Sequence, residues 1–256
     1  MTTQALPKAA PKFTRIAASP AYRRVAEAVE RDILSGRLKA GEPLGTEAAL
    51  VEQFGVNRST IREGIRLLEH SGLVRRDSSR RLWVELPRTE RLVTSVSRAL
   101  VLHEVSFREL FEAALALQLA TVESAVEHAT PAEIDALEGN IDATAARLGE
   151  AAEVARLDGE FSALIGVASH NRVLQLAREP SELLVISSVE LIMRNVAEAP
   201  ARLVEAHRMY VDAIRRRDRE AGRLWARRHL EDWRRGFERA GKDLDRPIDR
   251  IILENG

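Results

Sequence analysis

Only two short stretches of the chain favour extended structure, Leu73-Val74 and Leu82-Trp83-Val84. They flank a charged, polar run from Arg75 to Arg81, so they read as a hairpin. From residue 88 onward no strand signal appears, and the apolar residues recur at helical spacing. These facts predict a mainly α fold with a small β-hairpin set among helices.

Upstream of the hairpin, Val25, Ala28 or Val29, and Ile33 place a helical stripe over Tyr22–Leu34. Gly36 ends that helix, and Gly41 with Pro43 marks a turn. Thr46 suits the N-cap of a short helix bearing Ala49, Leu50 and Phe54. Gly55-Val56-Asn57 then makes a tight turn, Asn57 caps a third helix reaching about His70, and Ser71-Gly72 stops it. Three helices followed by a hairpin make a winged helix-turn-helix over residues 19–86. Residues 1–18 contain Pro7 and Pro11 and lack a sustained period, so they read as a mobile arm.

Residues 87–245 read as an all-α helical bundle, with 246–256 as a tail. A connecting helix fits Thr89–His103. Phe111, Leu115, Leu119, Val122 and Val126 stripe a second helix. Ile134, Leu137, Ile141 and Leu148 stripe a third, with Thr130 as cap and Pro131 at its first position. Val154, Leu157, Phe161, Leu164 and Ala168 stripe a fourth. Residues 172–197 are apolar on several sides and read as a central helix that Pro180 should kink or break. Two more helices fit 201–217 and 219–240.

Charge divides the same way. Over residues 1–86 there are 15 Lys and Arg against 10 Asp and Glu, which leaves 24 against 29 in the remainder. A basic module suited to a polyanion thus precedes an acidic one. The chain has no cysteine, which excludes disulfides, iron–sulfur clusters and thiolate zinc sites. No apolar run approaches the roughly 18 residues of a membrane helix, and none resembles a signal peptide. A cytoplasmic protein is expected. Neither a Gly-rich phosphate loop nor a serine-nucleophile motif is present.

A DNA-reading helix needs an apolar inner face and a polar outer face near its N-terminus. Ile61, Ile65 and Leu68 form the first, and Arg58, Ser59, Thr60, Arg62, Glu63 and Arg66 are left outward. Arginine can fork onto guanine O6/N7 or phosphate, and short hydroxyls permit close approach. The wing adds Arg75, Arg76, Arg80 and Arg81.

The segment Tyr22–Val84 resembles the N-terminal domain of the GntR family of bacterial transcription regulators. The resemblance rests on Ile33-Leu34-Ser35-Gly36-Arg37-Leu38-Lys39-Ala40-Gly41, on Phe54 to Glu63 (FGVNRSTIRE), and on Leu68 to Val74 (LEHSGLV). The second domain resembles the FCD ligand-binding domain of the FadR-type branch. Together they cover about residues 20–240. The resemblance implies that Arg58 and Arg62 are the two recognition-helix arginines. The chain departs from the family at Ala48, where an arginine is usual, and at Arg81, where the wing tip usually has glycine.

The FCD resemblance also implies a metal or carboxylate pocket. Its ligand pattern falls on Asp158, His207 and His229, with Ser162 in place of the usual fourth ligand, a histidine, and zinc or nickel as the expected ion. The residues support this independently, because Asp158, His207 and His229 lie on apolar faces of separate helices, an arrangement that bundles use to build metal sites. A polar pocket or hydrogen-bonded cluster is the alternative. Aligning Glu112 with a family glutamate puts Ala114 where an arginine often clamps the effector carboxylate, and Gln118 at a later glutamate. Arg194 or Arg208 is left to compensate, which points to an effector that is more apolar or differently bound than a small hydroxy acid.

The resulting expectation is a homodimeric regulator, a repressor by preference. It would bind double-stranded DNA at a palindromic operator and respond to a small-molecule effector, an organic acid or a more apolar metabolite. A dimer with a decayed ligand site and a helical metalloenzyme are the competing readings.

Overall fold

The computed structural model describes residues 19–86 and 89–248, and the expected N-terminal arm lies outside them. Contacts divide the chain into two compact units, 1–88 and 89–256.

The first unit contains α1 (Ala21–Leu34), β1 (Pro43–Gly45), α2 (Glu47–Phe54), α3 (Arg58–Ser71), β2 (Val74–Arg76) and β3 (Leu82–Val84). Thr46 Oγ1 accepts from the Ala49 amide at 3.2 Å and Asn57 Oδ1 from the Thr60 amide at 2.8 Å, so both expected caps form. Gly55, with φ 62°, supplies the left-handed turn between α2 and α3. The core gathers Val25, Val29, Leu50, Ile61, Ile65, Leu68 and Leu82. α1 crosses α3 so closely that a Cβ at Gly64 would stand 2.9 Å from the Tyr22 carbonyl oxygen.

The sheet corrects one expectation. Pro43, read as part of a turn, begins a third strand, and the order is β1-β3-β2 with both pairings antiparallel. A three-residue edge strand containing proline and glycine carries no propensity signal of its own. The partner strand β3 creates it.

The second unit contains α4 (Thr89–Leu102), α5 (Phe107–His128), α6 (Pro131–Ala145), α7 (Ala151–Ala168), α8 (Arg172–Asn195), α9 (Ala199–Arg215) and α10 (Arg219–Arg239). Capping boxes at Ser106/Glu109 and Thr130/Glu133 begin α5 and α6. One core cluster joins Val122, Leu137, Phe161, Ile165, Tyr210 and Ile214, and a second joins Phe107, Leu184, Ile192, Trp233 and Phe237.

Three details differ from expectation. Leu148, assigned to the α6 stripe, lies beyond its end and is exposed. Pro180 sits inside α8 without ending it. The expected tail is packed as far as Ile248, which is buried and whose amide donates to the Val105 carbonyl.

Candidate functional site

The outer face of α3 is built by its cap and its crossing with α1. Ile61 and Ile65 are fully buried, and that fixes the helix rotation. Arg58, Ser59, Arg62 and Arg66 are exposed, whereas Thr60 is partly covered. Ser59 Oγ also donates to the capping Asn57 Oδ1 at 2.8 Å. Arg58 lies 3.8 Å from Glu47, and Arg66 lies 3.3 Å from Glu63. Both arginines are three-quarters exposed, so these pairs are weak enough to exchange for a phosphate or base edge. Ala48 is exposed on α2.

The wing arginines divide by role. Arg76 donates to Glu47 and Glu69 and is committed to the fold. Arg75 stacks over Trp83, 5.5 Å from the ring centroid. Arg80 and Arg81 remain exposed at the tip. Arg80 has φ 63°, so the left-handed position that glycine would favour lies one residue before Arg81. Asp77 shapes this turn by accepting from Ser79, the Arg81 amide and Trp83 Nε1. The Ser79 and Trp83 hydrogen bonds hold its carboxyl down to about 2.

In the second unit, a cavity of about 100 Å³ opens between α5, α7, α8, α9 and α10. Ala114 and Gln118 of α5, Asp158 and Ser162 of α7 and His229 of α10 all line it. Gln118 donates to Tyr210 Oη at 3.0 Å. Burial pushes the Tyr210 hydroxyl well above its ordinary range. His207 is fully buried behind this group, stacked on Phe161 at 3.6 Å between centroids.

Asp158, His207 and His229 each offer a ligand atom, and these atoms lie within 4.8 Å of one another. His207 Nε2 is 3.2 Å from Asp158 Oδ1 and His229 Nε2 is 3.9 Å from it. The nearer contact is misaligned, so Asp158 Oδ1 and both ring nitrogens of His207 are buried without a hydrogen-bond partner. Burial favours the neutral carboxyl of Asp158, but the adjacent histidines outweigh it and hold the group below its usual range. Burial lowers His229 to about 4, which leaves its imidazole neutral and able to ligate. One oxygen and two imidazole nitrogens, with the Asp158 and His207 atoms lacking a hydrogen-bond partner, make a donor set that fits a zinc- or nickel-like ion with open positions.

Arg194 does not join the cavity. It is exposed on α8 and pairs with Glu190 in its own helix. Arg208 is likewise outside the lining. The arginines that the structure places there are Arg178, Arg202, Arg235 and Arg239, of which Arg178 is 5% exposed, with Nη2 at 2.8 Å from Glu182 Oε1, while the other three pair with Asp232 or Glu198. The sequence signal for Arg178 was present but weak: an Arg and a Glu four residues apart, a spacing that Glu190 and Arg194 of the same helix also have.

A winged helix-turn-helix with an outward arginine face, followed in the chain by a helical bundle that encloses a cavity, defines a DNA-binding regulator. Residues 21–84 match the family described as bacterial regulatory proteins, gntR family, and residues 109–232 match the FCD domain. The chain belongs to the GntR family and carries an FCD domain.

It is 26% identical over 216 residues to the uncharacterized HTH-type transcriptional regulator YdhC of Bacillus subtilis, covering 83% of this chain and 88% of that protein. It is 26% identical over 219 residues to the transcriptional repressor NanR of Cronobacter sakazakii, covering 80% and 81%. To the Glc operon transcriptional activator of Escherichia coli K12 it is 27% identical over 201 residues, covering 75% and 77%. A solved Streptococcus agalactiae GntR shares the fold, with a TM-score of 0.57, 23% identity, and coverage of 84% and 99%. The matched families and relatives are transcription regulators, so this chain is a transcriptional regulator and not an enzyme. Among the described residues no helix is long and apolar enough to cross a membrane.

Proposed function

We propose that the chain is a homodimeric, cytoplasmic repressor that docks α3 in the major groove of a palindromic operator and is tuned by a small molecule in the helical cavity. Arg58, Arg62 and Arg66 would meet base edges and phosphates, Ser59 and Thr60 would permit close approach, and Arg80 and Arg81 would follow the adjacent backbone. The repressor assignment follows the resemblance to NanR, and the similar Glc activator makes the sign a matter for experiment.

The observation that carries the effector reading is the set of partnerless polar atoms on Asp158 and His207 beside a cavity. A bundle that served only to join two copies would gain stability by filling that space with apolar side chains. Asp158, His207 and His229 would hold the metal ion, with Ser162 at its edge. The ion would supply a Lewis-acid anchor for an effector oxygen.

Coupling would run through the contact between α4 and α8. Ser97 Oγ lies 2.7 Å from the Pro180 carbonyl oxygen and 2.8 Å from that of Val93, joining α4 to the part of α8 that carries Arg178 and Glu182. Because α4 follows the winged unit directly in sequence, a shift of α8 on ligand binding would alter the geometry available to paired recognition helices. The effector can move operator occupancy only as far as it prefers one geometry. Fluorescence anisotropy on a labelled fragment from upstream of the gene, with and without fractionated cell metabolites, tests this. Binding that some fraction reverses is expected. Absence of binding, or binding that no fraction changes, would defeat the proposal.

A further inference from the structure

Two arginines of the outward α3 face have ion-pair partners, and the partners differ in kind. Arg66 meets Glu63 of its own helix, a side chain that is itself 56% exposed. Arg58 is faced from another element, by Glu47 at the start of α2, whose side chain is only 14% exposed. A solvated partner on the same helix moves with the group it meets, whereas a covered one on a different element gives that group a fixed reference.

Glu47 is itself held in place. Thr46 caps α2 through the Ala49 amide, and a carboxylate in the first turn is favoured by the helix dipole. Glu47 Oε1 accepts from Arg76 Nη2 at 2.9 Å, and Arg76 Nε donates to Glu69 Oε1 at 3.2 Å. With Oε1 held by Arg76, Oε2 is the oxygen that faces Arg58, 3.8 Å from its Nε. A role in the fold accounts for the helix start and for the bond to Arg76. It does not account for the second oxygen, which meets the first residue of α3.

Because Nε is the guanidinium nitrogen nearest Glu47, the terminal Nη1 and Nη2 pair is left for another partner. Guanine presents O6 and N7 to such a pair, and the contact requires a particular guanidinium plane. At 3.8 Å the Glu47 contact restricts that plane without consuming a donor. A carboxylate beside the reading face also opposes phosphate, which weakens binding that ignores sequence.

We propose that Glu47 is the positioning residue of Arg58, and that it sharpens the guanine preference of one base pair in each half-site while lowering sequence-independent affinity. This deepens the operator-binding reading given above and rests on it.

The test begins by selecting duplexes from a random 24-base-pair library with the full-length protein. Fluorescence anisotropy then measures the enriched duplex, each of its single-base-pair substitutions and a scrambled duplex of the same composition. Arg58→Met should level the guanine preference at one base pair per half-site and so identify it. Glu47→Gln should reduce the preference at that same base pair about two- to fivefold, the range of an exposed ion pair. Preferences elsewhere should be unchanged, and the scrambled duplex should bind at least as tightly as it does to wild type. In the Arg58→Met background Glu47→Gln should have no effect on discrimination. Glu47→Asp ends one methylene short of Arg58 and keeps the charge at the helix start. It should give the same pattern, and it replaces Glu47→Gln if that variant fails to fold.

The proposal is overturned if no base pair depends on Arg58, if Glu47→Gln leaves that preference intact, or if it lowers all preferences alike. An equal loss in the Arg58→Met background would also overturn it, because Glu47 would then act through the fold. If wild type enriches no sequence, the operator-binding reading fails and takes this one with it. An enriched sequence whose discrimination ignores Glu47 sinks this inference alone.

Discussion

The two units solve opposite problems with the same helical material. In the first, the interior is an apolar core that holds α3 at one rotation, and the proposed DNA-contacting groups face solvent. In the second, the proposed functional groups are inside, at a cavity beside polar atoms without partners. An exposed reading face can be changed without disturbing the fold, whereas an internal site couples function to stability. The comparison can be broken or sharpened by substitution.

The largest effect is expected for Arg58→Ala with Arg62→Ala. Each lost base contact should cost about 1–3 kcal/mol of binding, so together they should weaken operator affinity by two or more orders of magnitude. The melting temperature should stay at the wild-type value, since both side chains are exposed. A large fall in melting temperature would show that the outward face also supports the fold and would break the contrast.

Next in size is Asp158→Ala, measured by elemental analysis and zinc titration. Loss of a direct ligand should exceed the roughly 10–100-fold drop in metal affinity typical of outer-shell changes. DNA binding by effector-free protein should survive. Unchanged zinc affinity would show that Asp158, His207 and His229 are a hydrogen-bonded cluster and not a metal centre.

Two glycines sharpen the contrast at the level of packing. At Gly64 a new Cβ meets the Tyr22 backbone carbonyl at 2.9 Å, and backbone cannot step aside. Gly64→Ala should therefore cost about 1–3 kcal/mol in chemical denaturation. At Gly236 the obstacle is Ile192 Cγ2 at 2.7 Å, the closer of the two contacts. Both residues line the cavity, so the Ile192 side chain has space to rotate into, and Gly236→Ala should cost less. The reverse ranking would mean that the cavity wall is as rigid as the crossing of α1 and α3.

The smallest effect belongs to the wing. The Asp77 carboxyl is held at about 2, below its ordinary value of 3.8, so its folded form carries fewer protons than the unfolded chain between those values. Its stabilising contribution is present above about pH 4 and is lost as pH falls through 2. Near-ultraviolet circular dichroism of Trp83 should report this change, and Asp77→Asn should abolish that pH dependence while weakening DNA binding less than the arginine pair does. To isolate Trp83, the measurement uses Trp225→Phe/Trp233→Phe protein.

Much of this was legible from the residues because it is local. The caps at Thr46, Asn57 and Thr130, the turn at Gly55, and the inward stripe of Ile61, Ile65 and Leu68 depend on neighbours within a helical turn or two. That stripe sets the outward position of Arg58 and Arg62. Asp158, His207 and His229 were legible in another way, as polar residues on apolar helix faces that could meet inside a bundle.

What only the tertiary structure decided concerns elements whose sequence does not distinguish one side from another. α8 is apolar on several sides, so its periodicity cannot say which face meets a cavity. Packing against α7, α9 and α10 turned Arg178 inward and left Arg194 on the surface. β1 likewise exists because β3 pairs with it, across nearly 40 residues of intervening chain. A helix cap needs only its own turn, but a buried charge or an edge strand is defined by partners distant in sequence, and only folding brings those together.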